Sequence, residues 1–296
     1  MSFRPDINKA KTVVKCDAFS AYSMAYVITN ENLRQSISFM PNKCNRALTV
    51  AASGDHPLFC SLHGAKYVDT FDISYNAKCI MDIKTSAIKC LEYIAYIDLL
   101  KNLHWCENIK HVPDMQYISM MMPAPEWKYL CAMTGYPVFY AGIGIKDDNA
   151  HLVTEQEYNK MRQIVKGHYN FIMTDIGDLS NHLTESYDFI HLSNILDYKY
   201  AMGAKFRTLY PLLKHVTVGG RIVCHNLIGR AWEDIHPLEY FERILNMFET
   251  KHFGSNKEPD ADRQNHVAKI KEMYTGDYNN FDYKRYGDII VFERVR

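Results

Sequence analysis

Arg46-Ala47-Leu48-Thr49-Val50-Ala51-Ala52-Ser53-Gly54-Asp55, followed at a short interval by Tyr67-Val68-Asp69-Thr70-Phe71-Asp72-Ile73-Ser74, is the stretch whose reading decides the fold. Ala47 to Ala51 form a short apolar run rich in β-formers. It stops at Ser53-Gly54-Asp55, where glycine gives the backbone access to the positive φ of a sharp turn. Pro57 suits the first turn of a helix, Leu58, Phe59 and Leu62 give that helix a buried face, and Gly64 is placed to end it. The second apolar run then delivers Asp72 about 20 residues after the turn, the spacing at which an acidic residue meets ribose hydroxyls in a Rossmann-type unit. Backbone N–H groups at such a turn approach a ligand closely, and a carboxylate at the end of the neighbouring strand accepts ribose O–H bonds. The unit reads as an adenosine pocket; the plainer alternative is a βαβ unit whose strands simply end in Gly and Asp.

Only one glycine stands where the dinucleotide fingerprint has three, which argues against a pyrophosphate cofactor. A nucleoside without phosphate, such as S-adenosylmethionine, fits this weaker turn better.

The bulk composition narrows the field. A chain of 296 residues, 47% of them hydrophobic, can bury a large core as one elaborated domain. Lys plus Arg equals Asp plus Glu at 34 each, with no polybasic run, so no nucleic-acid partner is expected. No apolar stretch reaches the roughly 18 residues that span a bilayer. Met1-Ser2-Phe3-Arg4-Pro5-Asp6 lacks the apolar segment of a signal peptide. A cytoplasmic protein without stable membrane insertion is expected. The eight cysteines (Cys16, Cys44, Cys60, Cys79, Cys90, Cys106, Cys131, Cys224) include no C-x-x-C pair, so neither a metal site nor a disulfide framework is expected.

Residues 1–45 carry Phe19, Tyr22, Met24 and Tyr26 and form an N-terminal cap segment that lines the site or packs on the sheet. Residues 46–296 form the Rossmann-like domain. Ser74 caps a long helix in which Ala87, Ile88, Leu91, Ile94 and Ala95 repeat at helical spacing, running to about Lys101. Residues 102–167 interrupt the alternation with Trp105, Met120-Met121-Met122, Pro123, Pro125, Trp127 and Tyr140-Ala141-Gly142-Ile143-Gly144. This insertion suits a helical, aromatic lid over an apolar or cationic ligand, since methionine adapts its shape and aromatic faces attract cations. Plain helical core is the alternative.

The alternation resumes with a strand from Tyr169 to Thr174 that ends at Asp175-Ile176. Asp175 is placed either for the adenine amino group or to cap the next turn. A further strand, Tyr187 to Leu192, runs into Ser193-Asn194-Ile195-Leu196-Asp197-Tyr198. Polar groups at the C-terminal end of a central strand are where open α/β sheets bind ligands. A helix to Lys214, a Gly219-Gly220 turn, a strand from Arg221 to His225, an amphipathic helix from Leu238 to Phe248, a polar stretch from Lys251 to Tyr283 and a last strand, Asp288 to Glu293, complete the chain. The class is α/β, a mostly parallel sheet flanked by helices.

These pieces resemble the class I S-adenosylmethionine-dependent methyltransferase fold. More narrowly, Leu48 to Asp55, Val68 to Ser74, Phe189 to Tyr198 and Gly219 to Leu227 are similar to the betaine-lipid synthase family. The likeness covers roughly residues 45–100 and 169–230. It implies transfer of the 3-amino-3-carboxypropyl group of S-adenosylmethionine, to diacylglycerol in that family, and here to a small-molecule or lipid acceptor or back onto the donor's own amine in a cyclisation. Methyl transfer and a non-catalytic S-adenosylmethionine-binding subunit are the competing readings.

On these expectations Ala52, Ser53, Gly54 and Asp55 hold the methionine end, Asp72 and Ile73 the ribose, Asp175 and Ile176 the adenine edge, and Ser193 the donor. The catalytic candidates are His191, Asp197 and Tyr198 as base, and Asn194 for the methionine carboxylate or the acceptor. His56 is a further acceptor contact, or a neutral residue at the helix start. His191 otherwise serves as strand packing.

Overall fold

The computed structural model describes residues 3–13, 20–140, 152–198, 209, 211–225, 281–286 and 289–294. The chain divides into two compact units, Met1–His182 and Leu183–Arg296.

The first unit runs α1 (Ile7–Val13), β1 (Ala25–Tyr26), α2 (Leu33–Ile37), β2 (Arg46–Val50), α3 (Asp55–Leu62), β3 (Tyr67–Asp72), α4 (Tyr75–Cys90), α5 (Tyr93–Leu103), α6 (Met115–Met121), α7 (Ala124–Ala132), β4 (Phe139–Tyr140), α8 (Glu155–Ile164), β5 (Asn170–Met173) and α9 (Leu179–His182). Its sheet has the order β5-β3-β2, all parallel, with Val50 beside Phe71 and Asp72 beside Met173. Ala47 to Val50 are buried without alternation, as a parallel strand covered on both faces requires. Helix α4 is buried at almost every position because α5, α6, α7 and α8 pack around it.

The sequence reading treats Ser74 to Lys101 as one helix. Ser74 does cap α4, its side chain accepting the Asn76 N–H, but the helix stops at Cys90 and Leu91 is extended. Just past the helix end the Tyr158 hydroxyl donates to the Leu91 carbonyl at 2.9 Å, and α5 starts afresh at Tyr93. Within the expected insertion, α8 opens on a Thr154–Glu157 capping box and packs against α3 and α4. Strand β4 pairs in parallel with β1, Ala25 beside Phe139 and Tyr26 beside Tyr140, so the N-terminal segment and the insertion form one ribbon.

In the second unit β6 (Tyr187–His191) and β7 (Val216–His225) are parallel, and β9 (Ile289–Arg294) lies antiparallel between β7 and β8 (Phe281–Tyr286). Gly219-Gly220 does not precede the late strand as a turn; it lies inside β7, at an irregularity where Tyr187 pairs with Val216 but Phe189 already pairs with Arg221. Gly219 takes φ +79°, the conformation a bulge of this kind favours. Strand β8 occupies part of the stretch read as polar connection, where it pairs antiparallel with β9, its neighbour in sequence, from Phe281 beside Arg294 to Tyr286 beside Ile289. The Leu238–Phe248 helix, Phe19, and Ala141 to Gly144 lie outside the described residues, as do 199–208 and 210 of the helix expected to reach Lys214.

No described helix is long and apolar enough to cross a membrane. Among the described residues the seven cysteines form no disulfide.

Candidate functional site: a braced turn and a carboxylate

Strand β2 ends at Val50, and the chain turns through Ala52 at φ +46° and Gly54 at φ +81° into α3. Gly54 is needed twice over. Its positive φ suits glycine, and a Cβ there would stand 2.7 Å from the Met81 Cα, a backbone atom of α4 that cannot swing away. The Ala52 N–H donates to Asp72 Oδ2 at 2.9 Å, and the Ser74 N–H donates to Asp72 Oδ1 at 2.9 Å. One half-buried carboxylate therefore fixes the loops after β2 and β3 together. Burial raises the Asp72 pKa above the ordinary carboxylate value, opposed by the Ser74, Ala52 and Ile73 amides and by the charge of nearby His56.

Asp55 turns out to be a brace. Its Oδ2 accepts the Thr29 N–H at 2.9 Å and the Ser53 hydroxyl at 2.7 Å, and its Oδ1 meets the Lys84 Nζ at 2.5 Å. Lys84 is wholly buried, and burial lowers its pKa against the pull of Asp55. The Ser53 hydroxyl and the Asp55 carboxylate are thus committed to holding the turn. His56, expected beside the acceptor, faces Glu31 of the N-terminal segment at 3.4 Å, both side chains buried. At the end of β5, Asp175 Oδ1 accepts the Gly177 N–H at 2.8 Å, which caps the next turn, and Ile176 is buried beside it.

The N-terminal segment is fastened at both ends of this site. The Ser74 hydroxyl donates to the Ser23 carbonyl at 2.7 Å, and the Asn76 amide donates to the carbonyls of Tyr22 and Ser23, each at 3.0 Å. The Tyr129 hydroxyl of α7 completes Asn76 by donating to its Oδ1 at 2.9 Å.

In the second unit His191 closes β6, fully buried, its ring stacked on Phe189 and edge-to-face with His225 at 5.7 Å between centroids. Ser193 follows at φ +56°, its carbonyl accepting the His225 N–H at 2.8 Å, with its hydroxyl 3.4 Å from Asn194 Oδ1. Asp197 and Tyr198 lie on the short 3₁₀ turn Ile195–Tyr198. Lys84, Thr29, Glu31 and His225 were not singled out by sequence. For Lys84 the signal was present, a lysine on a helix otherwise read as buried; for His225 it was its place at the end of a late strand.

The parallel strands of the first unit, joined by covering helices, are a Rossmann-like arrangement. No family model matches the chain, and no curated protein does. Among solved structures it is similar to the N-methyltransferase NodS from Bradyrhizobium japonicum WM9 in complex with S-adenosyl-L-homocysteine, at 12% identity over 90% of this chain and 84% of that one, with a TM-score of 0.38. It is also similar to SMU.1697c, a putative methyltransferase from Streptococcus mutans, at 10% identity over 90% of this chain and 99% of that one, with a TM-score of 0.37. PigF is a third, at 11% identity over 88% and 53% of the two chains, with a TM-score of 0.36. Likeness of this degree says nothing about this chain's site.

Proposed function

We propose that the protein is an S-adenosylmethionine-dependent transferase that moves the 3-amino-3-carboxypropyl group to a small-molecule or lipid acceptor, or cyclises it onto its own amine. The observation that carries the donor is Asp72, held by the amides of both flanking loops and set beside a turn that only glycine can complete. The absence of further glycines in the turn favours a nucleoside without phosphate. The choice of carbon rests on the resemblance to betaine-lipid synthases.

The acceptor's lone pair attacks the methionine γ-carbon, that carbon's bond to sulfur breaks, and the bonding pair stays on sulfur as the neutral thioether 5′-methylthioadenosine. The acceptor's proton goes to a base, for which His191 is the candidate, with Asn194 holding the carboxylate or the acceptor. Asp197 and Tyr198 are the other polar groups of that strand end. Displacement at a cationic sulfur needs little acid chemistry, so alignment supplies most of the acceleration, up to ~7 to 11 kcal/mol.

The test is to incubate the purified protein with S-adenosylmethionine, with and without cell extract, and identify the nucleoside by mass spectrometry. Methylthioadenosine is expected. S-adenosylhomocysteine would replace γ-carbon transfer by methyl transfer, and binding without either product would leave a non-catalytic subunit.

A further inference from the structure

The N-terminal segment is pinned to the Asp72 loop through Ser23 and to the Asp55 brace through the Thr29 N–H, so Met24 to Ile28 form a strap running from the end of β3 to the turn after β2. The strap has two faces. Ala25 and Val27, with Phe139 of the paired strand, are buried, whereas Met24, Tyr26 and Tyr140 are half-open. Tyr26 and Tyr140 are register partners, their rings 4.4 Å apart between centroids and tilted by 39°, and the Val27 N–H donated to the Tyr140 carbonyl at 2.8 Å locks the pair. Two electron-rich rings packed against each other on a strap whose ends are tied to the Asp72 loop and to the Asp55 brace attract a cation within about 6 Å of their outer faces more strongly than a neutral thioether.

We propose that Tyr26 and Tyr140 form a cation-reading face that favours the positively charged sulfonium donor over its neutral thioether product. The inference rests on the proposed donor but not on which carbon is transferred. Both transfers turn a sulfonium into a thioether, so either product keeps only the weaker sulfur–aromatic contact and is held less tightly, and the same face would rank a cationic acceptor above a neutral one.

The experiment is calorimetric titration of S-adenosylmethionine and S-adenosylhomocysteine into the full chain and into its Tyr26→Phe, Tyr26→Leu and Tyr140→Leu variants, each checked for an unchanged unfolding midpoint. The full chain and Tyr26→Phe should prefer the sulfonium. Tyr26→Leu and Tyr140→Leu should each lose up to about tenfold of that preference, through a larger loss of affinity for the sulfonium than for the thioether. Equal weakening of both ligands, or of neither, would overturn the cation-reading face while leaving the donor pocket standing. Failure of the full chain to bind either ligand would overturn the pocket and this inference together.

Discussion

Two strand ends, after β2 and after β6, each put a non-glycine residue in the left-handed region, Ala52 at φ +46° and Ser193 at φ +56°, and they are held in different ways. The β2 end is clamped by side chains from elsewhere in its unit: Asp72 takes the Ala52 amide, Asp55 takes Thr29 and Ser53, Lys84 neutralises Asp55, and the α4 backbone closes over Gly54. At the β6 end the Ser193 carbonyl takes the His225 amide, and the buried His191 and His225 rings meet edge to face. Side-chain charge from other elements thus holds the first end, and a carbonyl–amide contact holds the second.

The contrast is tested most strongly at Lys84. Lys84→Met leaves Asp55 buried and unpaired and should cost about 3 to 5 kcal/mol in urea unfolding, whereas Asp55→Asn with Lys84→Met should recover most of it. A mild single variant would show that the turn does not depend on the ion pair. Gly54→Ala should cost about 2 to 3 kcal/mol by pressing a Cβ into the α4 backbone, and unchanged unfolding would contradict the closeness of that packing.

The mirrored pair Ala52→Gly and Ser193→Gly should each be neutral or stabilising by about 0.5 to 1 kcal/mol, since glycine relieves the positive φ. A loss at Ser193 alone, in stability or turnover, would show that its hydroxyl acts in the site, sharpening the difference between the two ends.

The β2 turn and Asp72 were legible because they are local, a glycine and a carboxylate at fixed spacing along one strand–turn–helix–strand unit. The role of Asp55 was not, since its partner Lys84 lies 29 residues away on a different helix. The end of α4 was hidden for the same reason: Tyr158 reaches Leu91 from 67 residues off, while the periodicity runs on without Gly or Pro. Gly219-Gly220 announces a positive φ equally well for a turn and for a bulge, and only the pairing of β7 with β6 decides between them. The strap was visible as an aromatic-rich segment, but the partnership of Tyr26 with Tyr140 joins distant parts of the chain and has no local signature.

Ligand affinity should also follow the protonation of Asp72. Its folded pKa is raised by burial, so its charge is not a source of stability to the empty fold; it is needed to accept ribose hydroxyls, and affinity should fall as pH drops through that raised value. The acid limb should therefore begin above the range of an exposed carboxylate, ~3.9, and be absent in Asp72→Asn.

Calorimetric titration of S-adenosylmethionine into the full chain and into Asp72→Ala, with unfolding midpoints measured alongside, tests the donor pocket most directly. Binding by the full chain and a loss of ~3 kcal/mol or more in the folded variant is the result expected from two charge-assisted hydrogen bonds at ~1.5 to 3 kcal/mol each. Equal affinity in the two proteins would contradict the placement of the adenosine pocket at Asp72.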